Sequence, residues 1–70
     1  MDRYAAALAL AAIYRALPDA PESVHASPDV HHALDQACRE VLGAAYEALP
    51  DTADGRALAL EALADDLRGA

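Results

Sequence analysis

The sequence predicts an all-α fold: a small three-helix domain, with helices near residues 2–17, 28–49 and 52–68. Three observations carry that prediction. Residues 4–14 form an uncharged run of mostly Ala and Leu, the strongest helix formers. Two further stretches repeat apolar residues at helical spacing. Leu17-Pro18, Ser27-Pro28 and Leu49-Pro50 stand where helices must stop or start.

The first helix is capped by Asp2 and stopped by Leu17-Pro18. Ala6, Leu10, Ile13, Tyr14 and Leu17 share one face, and Tyr4, Leu8, Ala11 and Ala12 share the opposite one. A helix that is apolar all round is buried on both sides or crosses a membrane. A bilayer needs roughly 20 apolar residues, more than this run supplies. The expectation is that the Leu10 face meets the core and the Leu8 face meets a second molecule.

Residues 18–27, with two prolines, are the linker. Ser27, Pro28 and Asp29 then fill the first positions of the second helix. Its stripe is Val30, Leu34, Ala37, Cys38, Val41, Ala45, Ala48 and Leu49. Gly43 lies on the other side of this helix, with Asp29, Gln36, Arg39, Glu40 and Glu47, at a cost of about 1 kcal/mol relative to Ala. Asp51 or Thr52 caps the third helix. Its inner stripe is Ala53, Ala57, Leu60, Leu63, Ala64 and Leu67; Leu58 and Ala62 point away, beside Glu61, Asp65 and Asp66. The short connection predicts a C-terminal antiparallel hairpin, with the first helix against its groove. Tyr14-Arg15-Ala16-Leu17-Pro18-Asp19 is echoed by Tyr46-Glu47-Ala48-Leu49-Pro50-Asp51, the same stop device used twice.

Seventy residues make one domain, 1–70. Ten Leu, three Val, one Ile and three Tyr are set among twenty Ala, with no Phe or Trp. A core of that size stabilises a chain weakly unless a disulfide, a metal or oligomerisation assists. One cysteine forms no internal disulfide, which leaves oligomerisation or unusually good helix packing, and a homo-oligomer or a protein partner is expected. The lone Cys38 also favours a reducing compartment, and the protein is expected to be cytoplasmic. Ala with Arg and no Lys suits a high-GC genome, bacterial or phage.

Twelve acids against five Arg give a formal charge of −7. A phosphate-binding surface needs a basic face, so no direct nucleic acid and no membrane binding is expected. His31, Asp35 and Cys38 have metal-like spacing along one helix. Cys38 lies within the apolar stripe, however, and no fourth ligand follows, so no metal and no cofactor is expected. The sequence offers no Gly-rich phosphate loop and no cleft-forming architecture for catalysis, so the protein is expected not to be an enzyme.

His25-Ala26-Ser27-Pro28, the long helix after it, Leu49-Pro50-Asp51 and residues 56–63 (Arg-Ala-Leu-Ala-Leu-Glu-Ala-Leu) together resemble a known hairpin. It is the helical hairpin of phage anti-defence proteins of the Acb2/Tad1 type, which are oligomeric sponges for cyclic nucleotide signals. The resemblance spans residues 25–63 and implies the hairpin shape. Asp54 and Gly55 stand where that family carries Arg-Glu, and Glu61 and Ala62 replace its Thr-Lys.

The function expected first is a non-enzymatic helical protein–protein interaction or self-association module. Its interface is expected at Tyr4, Leu8, Ala11, Ala12, Leu58, Glu61, Asp65 and Asp66. The resemblance implies an alternative, a small-ligand sponge for cyclic nucleotide signals. Acidity supplies another, an antitoxin or nucleic-acid mimic that binds a basic protein.

Overall fold

The computed structural model describes residues 2–69. Among them are four α-helices: α1 (Arg3–Ala16), α2 (Glu22–His25), α3 (Pro28–Leu42) and α4 (Ala53–Gly69). Single 3₁₀ segments follow α1 at Leu17–Asp19 and α3 at Gly43–Ala48. No strand occurs among the described residues.

The starts of α1, α3 and α4 are side-chain caps, whereas α2 follows Pro21 without one. Asp2 stays extended, and its carboxylate accepts from the Ala5 N–H at 2.8 Å. Ser27 accepts from the Val30 N–H at 3.3 Å, with Pro28 following it. Thr52 Oγ1 accepts from the Gly55 N–H at 3.0 Å. Each satisfies an N–H that the first helical turn leaves without a partner.

The predicted second helix breaks seven residues early. Gly43 adopts φ 59° and ψ −129°, a conformation open to glycine and strained for other residues. Its N–H still closes the last turn on the Arg39 carbonyl. The following 3₁₀ segment then runs back along α3. Tyr46 returns to donate its hydroxyl proton to the Asp35 carboxylate, and Arg39 lies over its ring at 4.8 Å. Ala44 and Ala45 carry no large side chain that would hold a straight continuation, and both are exposed.

That return corrects the expected hairpin. α4 starts beside the first half of α3, where Arg56 reaches Asp35 at 3.5 Å, and not beyond its end. The two do not form the expected antiparallel pair; both pack on α1. The most extensive helix–helix contact is α1 on α4, with α1 on α3 next. Tyr14 and Arg15, at the end of α1, meet Arg56 and Glu61 in the first half of α4, so these helices run antiparallel. At the other end of α1, Arg3 Nε donates to the Val41 carbonyl at 2.7 Å. That carbonyl belongs to the last turn of α3, where helical partners run out.

α1 is rotated from its expected setting. Its buried residues are Ala7, Leu10, Ala11 and Tyr14, an i, i+3, i+4, i+7 stripe. Ala11, expected outside, is 2% exposed, and Tyr4 is half-buried against the core. Ile13, expected inside, is 45% exposed. The reason is size. α4 buries Ala57, Leu60 and Ala64, and alanines on both helices let the backbones approach. A face centred on Ile13 would hold them apart. Cys38, Val41 and Leu42 of α3 complete the core, in which Leu60 and Cys38 are the largest fully enclosed side chains.

Gly55 lies in the first turn of α4, under Pro50. A Cβ there would stand 2.6 Å from Pro50 Cβ and 2.8 Å from Thr52 Oγ1. Alanine is the better helix former by about 1 kcal/mol, yet Gly55→Ala is expected to destabilise the fold by about 1–3 kcal/mol through overpacking. Gly43→Ala, where a Cβ meets nothing within 4 Å, should lose about 1–3 kcal/mol through backbone strain alone. Urea unfolding of both variants checks this. A Gly55→Ala protein as stable as wild type would mean that Pro50 and the Thr52 cap shift freely.

Candidate functional site

Two stripes of side chains lie exposed on the α1/α4 layer. On α1, Leu8, Ala12 and Arg15 are spaced i, i+4, i+7. On α4, Leu58, Glu61, Ala62 and Asp65 are spaced i, i+3, i+4, i+7. Both spacings keep residues on one side of a helix. Arg15 joins the stripes: its Nη2 donates to Glu61 Oε1 at 2.5 Å and its Nε to Oε2 at 2.9 Å. This bidentate geometry suits guanidinium and carboxylate, and Arg15 holds the Glu61 carboxyl below its ordinary range. Leu8, 42% exposed, and Leu58, 59% exposed, lie on either side of this ion pair along the outer surface of the two helices.

Of the expected interface residues, Leu8, Ala12, Leu58, Glu61 and Asp65 share this surface. Asp66 is exposed but one position round the helix. Ala11 lies in the core and Tyr4 at its edge. Arg15, which links the two helices, was not anticipated. Its signal was available, since it is the only charge on α1 between Tyr4 and Ala16 and stands seven residues from Leu8.

A second cluster occupies the opposite flank, where α3 lies. Arg56 is its centre. Its Nη1 donates to the Tyr14 hydroxyl at 3.2 Å and approaches Asp35 Oδ1 at 3.5 Å; its Nη2 lies 3.8 Å from Asp51. The guanidinium carbon is 5.7 Å from the Tyr14 ring centre and 5.9 Å from that of Tyr46. The two tyrosines of the sequence echo thus flank one arginine, a cation–π arrangement. The Tyr46 hydroxyl holds the Asp35 carboxyl below its ordinary range, with Arg39 and Arg56 assisting. Burial pushes the Cys38 thiol up, and it pushes the Tyr14 hydroxyl up too. Cys38 is therefore a core thiol and not an activated one.

An open cleft of about 440 Å³ borders this cluster, between the starts of α3 and α4. Leu17 and Leu34 line it with His31, His32, Asp51 and Thr52. The metal-like trio is dispersed. His31 Nε2 hydrogen-bonds the His25 carbonyl at 2.7 Å, Asp35 is engaged by Tyr46 and two arginines, and Cys38 is fully enclosed. Among the described residues no three His, Cys, Asp or Glu side chains converge as metal ligands. No helix among them is long and apolar enough to cross a membrane.

Comparison with protein-family models, with curated proteins and with solved structures finds no match.

The acid limb of stability follows from the two lowered carboxyls. Asp35 and Glu61 are both held below their unfolded values. Their contribution is present above about pH 4, where the unfolded groups ionise, and is lost as pH falls through the folded values. Thermal unfolding between neutral and acid pH should show a declining midpoint at the acid end. Asp35→Asn and Glu61→Gln should each lower the neutral midpoint and flatten that decline. An unchanged acid limb in both variants would place the pH dependence elsewhere.

Proposed function

We propose that the protein is a non-enzymatic helical interaction module whose contact surface is the exposed face of the α1/α4 layer. The observation that carries this is the exposure of Leu8 and Leu58 on the outer surface of two helices that the Arg15–Glu61 ion pair joins. Single exposed apolar residues are ordinary. Here two leucines and the small Ala12 and Ala62 share a side of two packed helices, in a chain whose own core contains four alanines among ten buried residues. Fully burying one leucine contributes about 1.5–3 kcal/mol, a sizeable share of the stability expected of a domain this small. Covering the face stabilises both the contact and the fold.

The polar cluster supports a structural role for the opposite flank. Asp35 is bound by Tyr46, Arg39 and Arg56, so this carboxylate is already committed to holding the segment after α3.

Affinity capture from a lysate of the source organism tests the module. Wild-type protein should retain one or more proteins, its own chain included, that Leu8→Glu loses while keeping its helical circular dichroism. Leu10→Glu, at a core position of 7% exposure, should instead unfold the chain. Equal capture by wild type and a folded Leu8→Glu protein would remove the α1/α4 face as the contact surface.

A further inference from the structure

We infer that the occupant of this face is a second copy of the same chain, giving an isologous dimer in which two α1/α4 layers stack face to face. The inference rests on the interaction-module reading and adds the identity of the partner.

Area decides how much of the surface takes part. A standard interface buries about 800 Å² per partner, roughly a sixth of this chain's 4538 Å². One side of α1 alone is too small. Its 14 residues span about 21 Å of helix, a footprint of about 200 Å² at one helix width. Adding the 17 residues of α4 roughly doubles the footprint, and side-chain relief raises the accessible area above it. The dimer therefore needs both helices, and Leu58 as well as Leu8.

Charge decides which partner fits. With a net charge of −7, two copies repel except where negative charge is sparse or balanced. The α1 half of this face carries Leu8, Ala12 and Arg15 and no acid. The α4 half carries Asp54, Glu61 and Asp65, three acids on one stripe, and the Asp54 charge also reaches Arg15. One positive and one negative side on a single surface complement themselves, because a two-fold axis along the layer sets each half against the other. Arg15 of one copy then faces the acidic stripe of the other while keeping its own Glu61. A strongly basic partner would instead seek the acids exposed elsewhere and would gain nothing from Leu8 or Leu58.

Small side chains let the layers meet. Ala12 and Ala62 occupy the middle of each stripe and are exposed, so no large side chain there holds the facing layers apart. The remaining large exposed apolar residue, Ile13, lies five positions from Leu8, about 140° round α1. It falls outside the face and serves as a control.

Sedimentation equilibrium of the purified full chain, with circular dichroism on every variant, is the test. Wild type should be dimeric at micromolar concentration. Leu8→Glu and Leu58→Glu should each weaken the dimer by roughly tenfold or more, matching one leucine withdrawn from burial on each side. Ile13→Glu should leave it unchanged. Leu58, 59% exposed, keeps the test decisive if Leu8→Glu disturbs folding. A helical monomer from micromolar to millimolar concentration overturns the inference. So does a dimer broken by Ile13→Glu and indifferent to Leu58→Glu. A monomeric wild type whose capture of another protein still depends on Leu8 would remove the second copy and leave the interaction module standing. Monomeric behaviour together with Leu8-independent capture would remove both.

Discussion

The close approach of α1 to α4 through alanines is the contact on which the rest depends. Ala7 and Ala11 on one helix and Ala57 and Ala64 on the other bury little area each. Their value lies in what they permit: two backbones near enough for dense packing along several turns. Leu10 and Leu60 supply the apolar bulk. Because small residues occupy the contact, two leucines of the same helices are left outside it. Leu8 and Leu58 are exposed as a consequence of how the core is built, and the outer surface cannot be understood apart from the inner one.

The opposite flank is organised by a single glycine. Once Gly43 turns the chain, Tyr46 comes back over α3 and finds Asp35 and Arg39. Arg56 enters the same cluster from α4, between Tyr14 and Tyr46. Four chain segments are thereby tied at one place by charge-assisted contacts. Buried or partly buried charges are tolerated where they are paired, and here the arginine of 19% side-chain exposure has two carboxylates and two aromatic rings around it.

Much of this was legible in the sequence, for local reasons. Asp2, Ser27 and Thr52 act as caps because capping depends on a residue and its next three neighbours. The inner stripe of the last helix was legible because Ala53, Ala57, Leu60, Leu63, Ala64 and Leu67 contrast with acids on the other side. α1 offered no such contrast. Apolar on every side, it gave no direction, and its rotation was set by the alanines of a helix about forty residues away. The break at Gly43 was hidden for a related reason. Glycine costs about 1 kcal/mol within a helix, a sum that tertiary contacts override in either direction. Here the partners of Tyr46 favour the break. On the exposed face, Leu8, Ala12, Leu58, Glu61 and Asp65 were legible as outward residues. Arg15 as the link between two helices required knowing that they were neighbours.

The pairing of α1 with α4 has a consequence for how the chain folds. These helices are the most distant in sequence, and between them lie two proline-marked turns and the reversal at Gly43. Their contact closes a loop of about forty residues, and the entropy of that closure is lost before much apolar surface is covered. α3 alone gives α1 a smaller surface, so an intermediate of α1 and α3 gains little. During synthesis α1 must wait for α4, which lies beyond α2 and α3, to emerge before its partner exists. For that interval its uncharged Ala-Leu surface is open on both sides, and the acids elsewhere in the chain are what keep such molecules apart.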